Sequence, residues 1–316
     1  MNCLVTGAAG FIGSQLSETL LAEGHRVVGV DAFTDNYAAG LKRANIARGL
    51  ADANFRLLEA DLCSGGWEGS VGEIDWVFHL AARPGVRTSW GEDFATYCAH
   101  NILATQRLLE TCVTWQPQKI VFASSSSVYG SARRLPVRES SPLRPISPYG
   151  VTKLAGEHLC RIYRTNHNLP VVALRYFTVY GPRQRPDMAF ARWISALLED
   201  QPIIFFGDGR QTRDFTFVSD VVRATLLAAQ VGRPGDTYNI AGGSRTSPRE
   251  VLELLTEISG RKPQVTRQPV QKGDPRHTWA DTGLARQRLG FSPQVGISDG
   301  LAAQFSAAAR RNSGSE

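Results

Sequence analysis

Residues 2–31 read NCLVTGAAGFIGSQLSETLLAEGHRVVGVD. Positions 2–5 form a short apolar run, 6–13 a glycine-rich turn, 14–22 an amphipathic helix closed by Gly24, and 25–30 a second strand ending at Asp31. Gly7, Gly10 and Gly13 let the backbone turn tightly, approach a pyrophosphate and pack the helix on a sheet. The helix N-terminus then offers unpaired amides to the diphosphate. Asp31 fits a hydrogen bond to an adenosine ribose, and its charge repels a 2′-phosphate, which favours NAD over NADP. A glycine-rich run alone is a weak signal, whereas strand, turn, helix, strand and acid in that order are specific.

Outward from this unit the alternation continues. Strands are expected at 54–58, 75–80 and 119–123, with a long helix over 94–114 before the last of them. Alternating strands and helices imply an α/β fold with a doubly wound parallel sheet. Ligands of such sheets lie beyond the carboxyl ends of the strands. Asp61, Ala81, Ala82, Ser124 and Ser125 fall at those ends.

The strand at 119–123 runs into four serines, and the chain next reaches Ser147-Pro148-Tyr149. Ser at an N-cap followed by Pro at the first helical position starts a helix. Tyr149 and Lys153 are four residues apart on it and share a face. An ammonium beside a phenol stabilises phenolate and lowers its pKa, which makes Tyr149 a usable base, with Ser125 sharing the substrate proton. The bland alternative is a solvated Lys beside a half-buried Tyr. Position at the strand ends favours the catalytic reading.

Composition bounds the rest. The chain has 316 residues, 42% of them hydrophobic, enough for a large α/β domain and a smaller one. No apolar run approaches the roughly 18 residues of a membrane span, and no signal peptide is expected at the N-terminus. Five scattered cysteines without a paired spacing suit reduced thiols in a cytoplasm. The net charge of +6 is spread along the chain, which argues against nucleic acid and is compatible with an anionic small molecule. The histidines, His79 and His100 included, show no metal-ligand spacing, so no metal is expected.

Gly7-x-x-Gly10-x-x-Gly13, Asp31, His79-Leu-Ala-Ala82, the run from Ser124 to Gly130 and Tyr149-x-x-x-Lys153 together resemble the extended short-chain dehydrogenase/reductase family, which acts on nucleotide sugars. Leu174-Arg-Tyr-Phe-Thr-Val-Tyr-Gly-Pro182 and Gly207-Asp-Gly-x-x-x-Arg213 extend the likeness over nearly the whole chain. The resemblance implies a Rossmann domain over 1–175, with 213–243 returning to it, and a nucleotide-sugar domain from 176–212 and 244–316. It implies tightly held NAD, contacted also by Phe11, Ile12, Leu62, Leu80, Asn101 and Tyr176, and a homodimer through helices 94–114 and 149–166.

Within that family the residues after the catalytic hydroxyl separate the chemistries. Dehydratases have Asp-Glu there and decarboxylases typically a Glu; this chain has Ser126 and Ser127. Epimerisation through a transient 4-keto sugar needs neither acid. The string Phe177-Thr-Val-Tyr-Gly-Pro-Arg-Gln-Arg-Pro-Asp-Met-Ala189 is similar to UDP-glucuronic acid 4-epimerases, as is the segment from Ala82 to Trp90. Hydroxyls of Thr178, Ser126 or Ser127 can bond a C6 carboxylate, with charge from Arg87 or Arg185. Oxidation at C4 makes a β-keto acid prone to lose CO₂, so a net of hydroxyls is expected to hold the carboxylate out of alignment. Otherwise Thr178 simply ends a strand and Arg185 pairs with Asp187. Arg213 is expected to clamp the UDP diphosphate; Arg192 either assists or stays on the surface, and Arg276 lies where relatives vary. Epimerisation of UDP-glucose or UDP-N-acetylglucosamine, decarboxylation of UDP-glucuronate, and NAD binding without catalysis are the alternatives.

Overall fold

The computed structural model describes residues 1–269 and 273–312. The opening unit forms β1 (Asn2–Thr6), α1 (Phe11–Ala22) and β2 (Arg26–Asp31). Helix α1 starts at Phe11 rather than at 14, so Gly13 lies inside it. Then come α2 (Ala39–Leu50), β3 (Phe55–Glu59), β4 (Trp76–His79), α3 (Phe94–Tyr97), a π-helical turn (Cys98–Leu103), α4 (Ala104–Trp115), β5 (Lys119–Ser125), α5 (Pro148–His167) and β6 (Val171–Tyr176). The single helix expected over 94–114 is thus interrupted by wider turns, an insertion that periodicity over a long window does not reveal.

The second half contributes β7 (Val179–Tyr180), α6 (Ala189–Leu198), β8 (Ile203–Phe206), β9 (Arg213–Asp214), β10 (Thr216–Phe217), α7 (Val218–Val231), β11 (Thr237–Ile240), β12 (Arg245–Thr246), α8 (Pro248–Ser259), β13 (Val265–Gln268), α9 (Gly283–Leu289) and α10 (Ile297–Asn312). Helix α10 is the last element of the described residues.

Seven parallel strands form one sheet in the order β11-β6-β5-β4-β1-β2-β3. The chain winds outward from β1 to β3, then crosses to β4 on the other side of β1, so the loops after β1 and β4 diverge and leave a crevice. Helices cover both faces, which is why β5 and β6 are buried almost throughout instead of alternating. One face packs on α1 and α7 through Leu16, Leu20, Val221 and Ala224; the other packs on α4 and α5 through Leu108, Leu109, Phe122 and Cys160. Burying a side chain such as Phe122 contributes about 1.5–3 kcal/mol. Gly156 matters there, because a Cβ would lie 2.5 Å from the Phe122 ring and push α5 off the sheet. A separate core joins Tyr180, Phe190, Trp193, Phe205, Val251 and Leu301. No helix among the described residues is long and apolar enough to cross a membrane.

Candidate active site

The loops after β1, β4, β5 and β6 open into one cavity of about 1030 Å³. One wall is the glycine turn. Gly7 has φ +71°, and a Cβ on it would lie 2.9 Å from the Ala81 nitrogen; one on Gly13 would lie 2.1 Å from the Gly7 oxygen. This close packing sets Gly10, Phe11, Ile12 and Gly13 along the cavity, where first-turn amides have no intrahelical partner. Asp31 lines the same wall, its carboxylate held by the amides of Ala9 (3.0 Å) and Phe33 (2.8 Å). The Tyr37 hydroxyl, on the same side, is buried with no hydrogen-bond partner among the described residues. An amide-lined cradle, an acid and an orphaned hydroxyl fit a dinucleotide.

Asp61, Leu62, Leu80, Ala81 and Ala82 border this half, and the ring of Tyr176 lines it while its hydroxyl bonds Thr225 at 2.8 Å. Asn101 does not line the cavity, contrary to expectation. It sits in the π-helical turn, accepts the Arg83 amide at 2.7 Å and donates to the Arg83 carbonyl and the Thr152 hydroxyl at 3.0 and 2.9 Å. It therefore braces the loop after β4 against α5. Two cations on the cavity wall, Lys42 and Arg83, had no marked sequence signal. Lys42 lies in α2 and donates to the Thr34 carbonyl at 2.7 Å; Arg83 pairs with Asp35 at 2.9 Å. Ligand atoms of Asp61, Cys63 and His100 lie within 4.8 Å of one another, a grouping invisible in linear spacing.

Helix α5 begins at Pro148 because the Ser147 hydroxyl accepts the Gly150 amide at 3.1 Å. Tyr149, in its first turn, lies beside Ser125, whose hydroxyl donates to Ser127 at 3.1 Å. Lys153, one turn on, is buried and donates to the Ala123 carbonyl at 2.8 Å. The expected effect of Lys153 on Tyr149 is not what the structure shows. Burial pushes the Tyr149 phenol up, while the Ser125 hydrogen bond and the charge of Arg185 act against that rise. The Lys153 ammonium, turned toward the end of β5, is itself pulled down to about 8 by burial. Four-residue spacing sets a shared face, but side-chain reach decides which neighbour each group meets.

Ser124, Ser126, Ser127 and Thr178 also line the cavity, although Ser124 gives its hydroxyl to Glu157. Arg185 lines it and pairs with Asp187 through Nε (2.9 Å) and Nη2 (2.8 Å). At the far end Arg87 bonds Asp274, and its guanidinium lies 4.5 Å from the Phe206 ring centre, with that of Arg192 at 6.0 Å. Arg276 reaches Asp208 at 3.4 Å. Arg213 donates to the carbonyls of Thr212 and Arg276 at 3.0 and 3.1 Å. Thus the three acids at this end, Asp187, Asp208 and Asp274, each have an arginine partner. Eight Lys and Arg against five Asp line the whole cavity, a balance suited to anionic ligands.

Residues 3–241 match the NAD dependent epimerase/dehydratase family, and the chain belongs to it. It is 47% identical over 305 residues to a Bacillus subtilis (strain 168) protein described as an uncharacterized UDP-glucose epimerase, YtcB, covering 95% of this chain and 96% of that one. It is 38% identical over 304 residues to a UDP-glucuronate 4-epimerase of Thermodesulfobacterium geofontis (strain OPF15), covering 94% and 93%. Among solved structures it is similar to the UDP-glucuronic acid 4-epimerase of Bacillus cereus in complex with UDP-glucuronic acid and NAD: TM-score 0.95, 45% identity, 98% of this chain and 100% of that one.

Proposed function

We infer that this chain is an NAD-dependent epimerase that inverts C4 of a UDP-hexuronic acid, interconverting UDP-glucuronate and UDP-galacturonate. One observation carries the choice of reaction: beside Tyr149 the cavity is lined by the hydroxyls of Ser125, Ser126, Ser127 and Thr178, and the carboxylates farther along it, Asp187, Asp208 and Asp274, are each paired with an arginine. Among the described residues, no carboxylate stands beside Tyr149 in the run after Ser125 to serve as a second acid or base for eliminating water. The structural relative solved with UDP-glucuronic acid supports the choice of sugar.

Bound NAD supplies a reversible hydride acceptor for C4. Tyr149 takes the C4 hydroxyl proton and later returns it, so the sugar passes through a 4-ketone that turns over before reduction on its other face. Ser125 orients that proton transfer. Lys153 holds positive charge beside the reacting centre and is placed to bond the cofactor ribose. Ser126, Ser127 and Thr178 hold the C6 carboxylate out of the alignment that releases CO₂, with charge from Arg185. Arg87, Arg192, Arg213 and Arg276 hold the UDP end. Residues 1–175 with 213–243 hold the cofactor, and 176–212 with 244–316 hold the nucleotide sugar.

We also propose a homodimer through helices 94–114 and 149–166. In that region Phe94, Leu103, Val151 and Ile162 expose 37, 42, 46 and 50% of their surface. Light scattering on the purified protein tests it, and a monomer at micromolar concentration sinks it. Five free cysteines support a cytoplasmic location.

Incubation with UDP-glucuronic acid and no added NAD, followed by proton NMR, tests the reaction. UDP-galacturonic acid is the expected product, and a UDP-pentose would make the protein a decarboxylase. The 47% identical relative described as a UDP-glucose epimerase favours the second reading, a neutral hexose. Turnover of UDP-glucose or UDP-N-acetylglucosamine alone would establish that instead.

A further inference from the structure

Tyr149, Lys153 and Glu157 succeed one another at four-residue spacing on α5. Three consecutive residues at the end of β5 each meet one of them. Ser125 lies beside Tyr149, the Ala123 carbonyl accepts Lys153, and the Ser124 hydroxyl donates to Glu157. Gly156 makes this possible by letting α5 lie against Phe122.

Glu157 is itself gripped from β6. Arg175 bonds both its oxygens, through Nε at 2.9 Å and Nη2 at 2.7 Å, with side-chain exposures of only 5% and 9%. The remaining guanidinium nitrogen donates to the Tyr129 hydroxyl (2.8 Å) and the Glu139 carbonyl (3.0 Å), and Tyr129 donates to Asn239 of β11 at 2.6 Å. Neither Glu157 nor Arg175 borders the cavity.

We propose that Glu157 is a positioning residue: from outside the cavity its carboxylate holds the Ser124–Ser125 strand end in register with Tyr149 and, one helical turn after Lys153, sets the charge around that ammonium, and Arg175 holds Glu157. This rests on the reading of Tyr149 and Lys153 given above. The charges around Lys153 agree with it. From α5 it faces Glu157 and Cys160, from β4 His79, and from β5 a carbonyl and the Phe122 ring at 5.3 Å. Burial keeps His79 neutral, pulling it to about 3, and pushes the Cys160 thiol up, so His79 adds no like charge and Cys160 no counter-charge at neutral pH. Glu157, ion-paired with Arg175 on β6, is the carboxylate that opposes the desolvation of Lys153.

The test uses purified holoenzyme and the pH profile of kcat/KM on whichever UDP-sugar the wild type turns over. Glu157→Gln is expected to move the alkaline limb about one pH unit lower. It is also expected to lower kcat about ten- to a hundredfold through misplacement of Ser125 and Lys153. Glu157→Asp, which keeps the charge, should restore the limb. A Glu157→Gln enzyme with a lower melting temperature but the wild-type limb and kcat would show a merely structural ion pair and overturn the proposal. If that variant does not fold, Ser124→Ala decides, because it leaves the ion pair intact. A several-fold fall in kcat at unchanged KM and NAD content supports the proposal, and wild-type kcat overturns it. Wild type inactive on all three UDP-sugars would overturn the reading of the site and this inference with it. An active wild type with an unmoved limb in Glu157→Gln overturns this inference alone.

Discussion

Arg87 and Asp274 meet on the wall of the cavity, Nη2 donating to Oδ2 at 2.8 Å and Nε to the same oxygen at 3.2 Å. The two residues are 187 positions apart in the chain, and the Arg87 guanidinium also covers the ring of Phe206. This pairing sets Arg87 beside Phe206 and Asp274, at the end of the cavity proposed above for the nucleotide.

Arg87→Ala should therefore act on binding. The pair is partly exposed, at 43% and 24% of the two side chains, so its loss should cost no more than about 1 kcal/mol of stability. KM for the UDP-sugar should rise about tenfold, the equivalent of one charge-assisted contact, with kcat little changed. Steady-state kinetics check this; a fall confined to kcat would refute it.

Tyr149→Phe removes the hydroxyl proposed to carry the proton and leaves the ring packed edge-on against Tyr97. The variant should fold, copurify with NAD and lose about a thousandfold in kcat. Turnover near the wild-type rate would show that another group moves the proton.

Thr178→Val keeps shape and removes a hydroxyl from the cavity wall. With UDP-glucuronate carrying labelled C6, the variant should epimerise more slowly and release labelled CO₂. Unchanged epimerisation with no label in the gas phase would remove Thr178 from the carboxylate net.

Asp214 supplies a pH-dependent prediction about stability. It is fully buried, accepts the amides of Gly243 (3.0 Å) and Ala280 (3.1 Å), and burial pushes its carboxyl up to about 6. The folded state thus binds the proton more tightly than the unfolded chain, whose Asp titrates near about 3.9. Its contribution is full below that value and is lost as pH rises through about 6. The stability of wild type relative to Asp214→Asn should fall between pH 4 and 6.5, by at most about 3 kcal/mol. Denaturant titrations at several pH values check the slope, and a constant difference would refute it.

Much of the architecture was legible in the chain. The glycines of residues 7–13, the acid at 31 and the Ser147-Pro148 helix start act through local backbone geometry, which neighbouring residues alone specify. The Tyr149 and Lys153 spacing is local in the same sense. The π-helical turn escaped because it changes the period for only six residues, Cys98–Leu103, within a continuous helical stretch.

Partner choice was decided in three dimensions. Asn101 could have faced a cofactor, but folding places it between Arg83 and Thr152. Arg185 pairs with its near neighbour Asp187, yet Arg87 finds Asp274 in a distant segment. Glu157 stands one helical turn after Lys153, and its importance appears only when β6 brings Arg175 alongside and β5 brings Ser124. Sequence by itself determined the opening strand–turn–helix–strand unit, its cofactor cradle and the shared helix face of Tyr149 and Lys153, because each is a matter of spacing along one backbone. Tertiary structure alone decided which charges meet and which are buried, because Coulomb attraction and desolvation depend on distance through space and on the loss of water.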